Sequence, residues 1–194
     1  MKLVRGYFNS YRVTDSNVLN ESYSRTRYFS STGIRSSSGT TVFISHKHSD
    51  LEDLQGLLDY LKRQYNVVPY IDSMDKRMPN ETCGETAIRI KDVISCCNRF
   101  LLLATNDALT SKWCNWEVGI ADKLKLPANN MAILPMLDKG SSLYKGNEYL
   151  EIYPYVDEWV NYAGNKMLTV VYKDLSGKSK RVSLKDWLQG EGNY

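Results

Sequence analysis

The sequence has no long apolar run. A membrane-spanning helix needs about eighteen or more consecutive apolar residues, and no stretch of this 194-residue chain approaches that length. The amino terminus, MKLVRGYFNSYRV, carries charge but has neither the apolar core nor the small-residue cleavage site of a secretory signal. Hydrophobic residues make up 42% and charged residues 24% of the chain, which is typical of a globular protein. We therefore expect a single well-buried domain in the cytoplasm.

Cysteine and histidine are scarce. The four cysteines are Cys83, Cys96, Cys97 and Cys114. They show no C-x-x-C spacing, and a chain of this size needs no disulfide framework, so we expect reduced thiols. The two histidines, His46 and His48, have no third ligand at helical spacing, so we predict no metal site. A nucleophilic couple of Cys114 and His46 is a weak alternative because no acyl-transfer signature surrounds either residue.

The common phosphate-binding signatures of α/β proteins are also missing. No G-x-G-x-x-G follows the first expected strand and no G-x-x-x-x-G-K-[ST] occurs, which excludes a standard dinucleotide fingerprint and a P-loop. A phosphoacceptor receiver needs acidic residues where this chain has Ser45-His46 and Thr105-Asn106. The function must therefore depend on other groups.

The excess of positive charge lies at the amino terminus. The net charge is +3, and residues 1–40 hold six basic and two acidic side chains, so the remainder is slightly acidic. We predict a basic Ser/Arg/Tyr-rich leader and linker over residues 1–39, which end in the Ser/Gly-rich run STGIRSSSG. Short apolar pieces such as Val4 to Phe8 have the composition to lie against the domain. Nucleic acid is an unlikely partner because the body has no matching basic face.

Strand-like and helix-like segments alternate from residue 41 onward. Apolar runs typical of buried strands occupy residues 41–45, 67–71, 100–104 and 131–137, with a shorter one at 150–156. Amphipathic segments lie between them. The pattern predicts an α/β fold, namely a flavodoxin-like, doubly wound, parallel five-stranded sheet of order 2-1-3-4-5 with helices on both faces. Pro69 in the second run predicts an edge strand.

The domain is expected to cover residues 40–158. After it, LTVVY, a turn at Gly177, KRVSL and DWL predict a hairpin and a helical turn. We assign them to a C-terminal extension over residues 159–194 that packs on the domain. The pattern leaves open which of these pieces pairs with the main sheet.

Two helix starts carry the S/T-x-x-E pattern of a capping box. Ser49 with Glu52 predicts the start of the first helix, and Thr82 with Glu85 predicts the start of the second. The first helix should bury an apolar stripe that consists of Leu51, Leu54, Leu57, Leu58 and Leu61.

A carboxylate interrupts the apolar side of the third expected helix. The predicted buried side consists of Trp113, Trp116, Ile120, Ala121 and Leu124. Glu117 falls within this stripe at about 100° per residue. Burying a bare carboxylate is costly, so Glu117 needs a partner, a cleft or a functional role. The alternative is that Glu117 lies at the edge of the buried stripe, at an exposed end of the helix.

Five ordered motifs resemble those of the TIR domain family. They are VFISHKHSD at the first strand, YID at the end of the second, the run from Gly84 to Leu103, S-K-W-C-x-x-E at 111–117, and ILPML at the fourth strand. Their order and spacing match across about residues 40–155. Within the family, the W-C-x-x-E run is similar to that of TIR proteins that cleave NAD. The type it resembles is the stand-alone bacterial TIR protein, such as the signalling component of Thoeris anti-phage systems.

This resemblance implies a catalytic role for Glu117 in breaking the nicotinamide glycosidic bond of NAD. Ligands of doubly wound sheets bind outside the carboxyl ends of the strands, so the expected substrate-binding residues are Ser45, His46, Lys47, Asp72 and Trp113. Trp113 would form an apolar wall or stack on a base, and the alternative is that it belongs to the core. For the other four residues the alternative is an ordinary structural role. Ser45 would cap or turn the chain, His46 and Lys47 would be solvated loop residues, and Asp72 would form local hydrogen bonds after its strand.

The resemblance implies an NAD glycohydrolase or cyclase, with NAD as substrate and no cofactor. Its product would be ADP-ribose or a cyclic ADP-ribose isomer, sensed by a downstream effector. The alternative is a non-enzymatic TIR adaptor that acts through TIR–TIR contacts, and a third possibility is a nucleotide sensor without turnover. TIR–TIR self-association is expected in either case.

Overall fold

The computed structural model describes residues 2–12, 39–75, 83–141, 146, 148–174 and 176–190. In these parts of the chain, eight strands form one sheet. They are β1 (Leu3–Val4), β2 (Thr41–Ser45), β3 (Val68–Tyr70), β4 (Arg99–Ala104), β5 (Met131–Leu137), β6 (Tyr155–Val160), β7 (Lys166–Lys173) and β8 (Ser179–Ser183). Their order is β3-β2-β4-β5-β6-β7-β8, and β1 lies alongside β5.

The predicted α/β fold with a mostly parallel central sheet is confirmed. The strands from β2 to β6 pair in parallel in the order 2-1-3-4-5. Every residue of β2 and β4 is buried, as expected for central strands that are covered on both faces. β3 is the edge strand, in line with the position of Pro69, which has no N–H to donate to an outer neighbour.

Helices cover both faces of this sheet. The α-helices of the described residues are α1 (Leu51–Tyr65), α2 (Gly84–Cys96), α3 (Asn106–Leu109), α4 (Lys112–Lys125) and α5 (Leu184–Gln189). Alternate strand residues divide the core in two: α1 and α5 pack on one face, and α2 and α4 on the other. None of these helices has both the length and the apolar character that crossing a membrane requires.

The first helix starts differently from the prediction. His48–Asp50 form a 3-10 turn, and α1 begins at Leu51 without a side-chain cap. The predicted capping by Ser49 was therefore wrong, and so was the burial of Leu51, which is 43% exposed. The reason is that Asp50 is buried by contacts with residues that are distant in the sequence and are described below. The first residues of α1 consequently face the solvent.

The second helix begins at Gly84, one residue after its N-cap, Cys83. The Cys83 N–H donates a hydrogen bond to Thr86 Oγ1 over 3.1 Å. The predicted cap Thr82 lies outside the described residues.

The C-terminal hairpin continues the main sheet instead of packing on it as a separate layer. β6 pairs antiparallel with β7, and β7 pairs antiparallel with β8. The predicted fifth strand was only partly correct, since residues 148–152 form a 3-10 turn and β6 starts at Tyr155, immediately after Pro154. The predicted boundary at residue 158 consequently falls inside β6.

Residues 2–12 complete the core. β1 pairs in parallel with the end of β5, and the Phe8 side chain is 1% exposed. Phe8 crosses α1 at Gly56, where an added Cβ would lie 2.7 Å from the Phe8 carbonyl oxygen. Helix α1 therefore needs glycine at this position to let the amino-terminal segment pass.

Candidate functional site

The buried face of α4 contains Glu117, and the predicted apolar stripe was only partly correct: Ala121 is buried and Ile120 partly buried, but Trp113, Trp116 and Leu124 are exposed. The buried residues of this helix are Cys114, Glu117, Val118, Ala121 and Lys125. Trp113 and Trp116 are 37% and 36% exposed and pack edge to face, with ring centroids 5.2 Å apart. The face is thus rotated by about one residue from the prediction. The two tryptophan rings contact each other at the exposed margin of this face.

Glu117 is anchored to the end of β2. Its side chain reaches Ser45, the last residue of that strand, and Ser45 Oγ donates a 2.5 Å hydrogen bond to Glu117 Oε2. Glu117 is 4% exposed and Ser45 is 1% exposed. The bond therefore lies in the interior, at the carboxyl edge of the sheet where this class of fold binds ligands.

The environment of Glu117 favours its protonated form. Burial raises its pKa to about 8, the negative charge of Asp72 adds to the increase, and the Ser45 hydrogen bond opposes it. Burial disfavours a charged group because water no longer solvates it. A glutamate with a pKa near the physiological range can change its charge during a reaction, which is a common property of functional carboxylates.

His46 connects two loops at this edge. Its side chain is 2% exposed, and Nδ1 lies 3.9 Å from Asp72 Oδ1. Nδ1 also lies 3.4 Å from the Ile44 carbonyl oxygen, and Nε2 lies 3.4 Å from Ser73 Oγ. Burial lowers the pKa of His46, and Asp72 opposes this change. The imidazole is thus mainly neutral at neutral pH and holds the loop after β2 against the loop after β3.

Cys114 lies beside Glu117, although sequence reasoning considered it only as part of a nucleophilic couple with His46. It lies three residues before Glu117, its thiol is buried, and its backbone N–H donates a 3.4 Å hydrogen bond to Ser111 Oγ. Burial raises the pKa of this thiol, so it is a neutral packing partner and not an activated nucleophile. The i, i+3 spacing to Glu117 was the available signal, since residues three apart share a helix face.

The remaining predicted residues lie at the margin. Trp113 is on the first turn of α4, partly exposed, and Lys47 is partly exposed on the loop after β2. The structure therefore brings Ser45 and Glu117 into contact, with Asp72 near enough to act on Glu117 through its charge and with His46 beside Asp72. Among the described residues, no hydrogen bond or ion pair connects Lys47 or Trp113 with Glu117, and no group of three or more His, Cys, Asp or Glu side chains is arranged to hold a metal ion.

Two comparisons relate the chain to known proteins. A family model described as TIR domain matches residues 42–178. The chain is also 28% identical over 155 residues to the probable 3' cyclic ADP-D-ribose synthase ThsB' of Bacillus cereus (strain MSX-D12), an alignment that covers 76% of this chain and 75% of that protein. The span matched by the family model includes every candidate site residue, from Ser45 to Glu117.

Proposed function

The chain belongs to the TIR domain family, and on that basis we propose that it is an NAD glycohydrolase or ADP-ribosyl cyclase. The enzyme breaks the bond between nicotinamide and ribose and releases ADP-ribose or a cyclic ADP-ribose isomer. Similarity to a probable 3' cyclic ADP-D-ribose synthase supports the cyclic product. Bacterial anti-phage signalling, with a downstream effector that senses the product, is the setting that we propose.

The observation that carries this proposal is the buried Ser45–Glu117 pair. Keeping a carboxyl group 4% exposed, with its pKa raised to about 8, costs free energy of folding because water no longer solvates its charged form. Its position beside the carboxyl ends of β2 and β4 is where ligands of doubly wound sheets bind. A functional role accounts for both its burial and its place.

One carboxylate is sufficient for this chemistry. The nicotinamide of NAD is already a cationic leaving group, so it departs with the bonding electron pair and needs no proton from an acid, unlike the leaving group of an ordinary glycoside. Ionised Glu117 stabilises the positive charge that develops on the ribose. The cationic nicotinamide itself favours the ionised form when it binds nearby, because an opposite charge lowers the pKa of a carboxyl group.

The other candidate residues have supporting roles in this proposal. Ser45 orients Glu117, and Asp72 with His46 holds the loop after β3 at the site. Lys47 contacts the diphosphate, and the exposed ring of Trp113 stacks on a base. The ribosyl cation is then attacked by water, which gives ADP-ribose, or by a nucleophilic atom of the same molecule, which gives a cyclic isomer.

The direct test is incubation of the concentrated protein with NAD, followed by chromatography of nicotinamide and of the nucleotide product. Wild type is expected to release nicotinamide, and the Glu117→Gln variant is expected to lose at least about a hundredfold in rate. Glu158→Gln is the matched control, because Glu158 is also a buried glutamate (5% exposed) but lies on β6 and bonds with Tyr7 and Lys166. This control should retain activity.

Self-association is part of the proposal, since TIR domains act through TIR–TIR contacts. We expect the rate per protomer to rise with protein concentration. If concentrated wild type binds NAD but releases no nicotinamide, the protein is a nucleotide sensor. If it neither binds nor cleaves NAD, it is a non-enzymatic TIR adaptor.

A further inference from the structure

A second buried carboxylate, Asp50, joins the two loops that lead to the Ser45–Glu117 pair. Its side chain is 0% exposed. Asp50 Oδ1 accepts a 2.9 Å hydrogen bond from Arg5 Nη2, and Asp50 Oδ2 accepts a 2.6 Å hydrogen bond from Thr105 Oγ1. One carboxyl group thus connects the amino-terminal segment, the loop after β2 and the loop after β4.

One end of this connection is close in sequence to Ser45, and the other continues through α3 into the helix that contains Glu117. On one side, the Asp50 N–H donates to the Lys47 carbonyl oxygen over 2.8 Å and closes the turn that follows Ser45. On the other side, Thr105 Oγ1 accepts from the Ala108 N–H and caps α3, which leads directly into α4 and Glu117. A shift between the two loops would therefore change the distance from Ser45 to Glu117.

Arg5 supplies the charge that allows Asp50 to be buried. Its Nε donates to Asp53 Oδ2 over 2.8 Å, and its Nη1 lies 3.8 Å from both Asp107 and Asp138. Four carboxylates thus surround one guanidinium. A guanidinium can bridge several carboxylates because its five N–H groups form a planar fork, which a lysine ammonium does not offer.

We propose that Arg5, Asp50 and Thr105 are positioning residues that hold the loops after β2 and β4 in register, and thereby set the geometry of Ser45 and Glu117. None of the three contacts the reacting groups. The inference rests on the proposed function for its activity measurement, but the geometry is testable without turnover. The amino-terminal segment is on this view part of the active structure.

The variants distinguish the loss of charge compensation from the loss of the bridge between the two loops. Arg5→Met leaves an uncompensated buried carboxylate, so we expect a lower melting temperature. The double variant Arg5→Met/Asp50→Leu removes both charges and also the oxygen that accepts the Thr105 hydroxyl, so it should melt higher than Arg5→Met while lacking the bridge. Thr105→Val breaks the bridge from the other end without changing any charge, and Thr105→Ser keeps the hydroxyl and should behave like wild type. Arg181→Met is the matched control, since Arg181 pairs with Asp157 at the hairpin.

The first measurement is the pKa of Glu117, which is determined by carbon-13 NMR of the glutamate carboxyl groups. The Glu117→Gln variant assigns the signal. A loosened site admits water, so the double variant and Thr105→Val should lower the pKa of Glu117 by about one unit or more. A merely structural role of the bridge would lower melting temperature without this shift. Thr105→Ser and Arg181→Met should leave the pKa unchanged.

The second measurement is nicotinamide release. We expect kcat to fall about tenfold or more in the double variant and in Thr105→Val, because small displacements of reacting groups have large effects on rate. The inference is overturned if these folded variants keep both the wild-type Glu117 ionisation and the wild-type kcat. If wild type itself releases no nicotinamide, the proposed function fails, and the NMR shift alone supports or overturns the positioning role.

Discussion

Ser45 and Glu117 are 72 positions apart in the chain, yet a 2.5 Å hydrogen bond joins them in the interior. The pair connects the end of β2 with the buried face of α4. Its donor stabilises the ionised carboxylate while burial and Asp72 favour the protonated one. These opposing effects set the pKa of Glu117, and therefore the pH above which its ionised form, the proposed active form, predominates. Removing Ser45 and removing Asp72 should shift this pKa in opposite directions.

Removing the donor should raise the pKa of Glu117 further. In Ser45→Ala the carboxylate loses its hydrogen bond, so we expect kcat/KM for NAD cleavage to fall about tenfold to a hundredfold near pH 7. Wild-type kcat/KM should rise with pH up to about 8, and the midpoint of the variant's profile should move to higher pH. The measurement is a pH–rate profile of nicotinamide release. An unchanged midpoint would show that Ser45 does not act on Glu117 ionisation.

Removing the neighbouring negative charge should have the opposite effect. Asp72 raises the pKa of Glu117, so Asp72→Asn should move the midpoint of kcat/KM to lower pH. A pH–rate profile of nicotinamide release measures this shift. The midpoint is the informative quantity, because Asp72 also contacts the His46 loop and its removal can change the rate for that reason. A shift to higher pH would contradict the assigned charge interaction.

Glu117 should also make stability depend on pH. Its pKa is about 8 in the folded protein against an ordinary 4.5, so between these values the folded state keeps a proton that the unfolded state has lost. The contribution to stability is therefore fully present below about pH 4.5 and is lost as pH rises through about 8.

The variant Glu117→Gln does not titrate. Wild type should therefore lose stability relative to this variant as pH rises from 5 to 9, which urea denaturation at several pH values would measure. Parallel stability curves for the two proteins would refute the raised pKa.

The crossing of Phe8 over α1 predicts an asymmetry between two helical glycines. Gly56→Ala places a Cβ 2.7 Å from the Phe8 carbonyl oxygen and should cost about 1–3 kcal/mol of unfolding free energy. Gly119→Ala in α4 is the matched control, because nothing lies within 4 Å of its added Cβ. It should gain up to about 1 kcal/mol from helix propensity. Equal effects in urea denaturation would mean that the amino-terminal segment does not pack on α1.

Some of these features could be predicted because they are local in the sequence. The uninterrupted apolar runs of β2 and β4 indicate strands that are buried on both faces, and Pro69 indicates the edge. The burial of Glu117 was also predictable from its place on α4. The exact side of α4 that is buried was not predictable. A hydrophobicity pattern counts a tryptophan as buried even where two tryptophan rings pack on each other at the exposed margin of the helix.

Other features have no local signature. Arg5 and Asp50 are 45 positions apart and Thr105 is another 55 positions away, so the outward turn of Leu51 and the loss of the Ser49 cap follow from contacts that no window of sequence contains. The same holds for Cys114, whose neighbour Ser45 lies on another element.

The sequence by itself determined the main strands and helices of the parallel sheet and the presence of an acid on a buried helix face, because these depend on periodicity and on the hydrophobicity of neighbouring residues. Only the tertiary structure decided that Ser45 bonds to that acid, that Asp72 raises its pKa, and that Arg5 and Phe8 complete the domain. Such contacts join residues that are distant in the chain, and their energies depend on distance and burial, which exist only once the chain has folded.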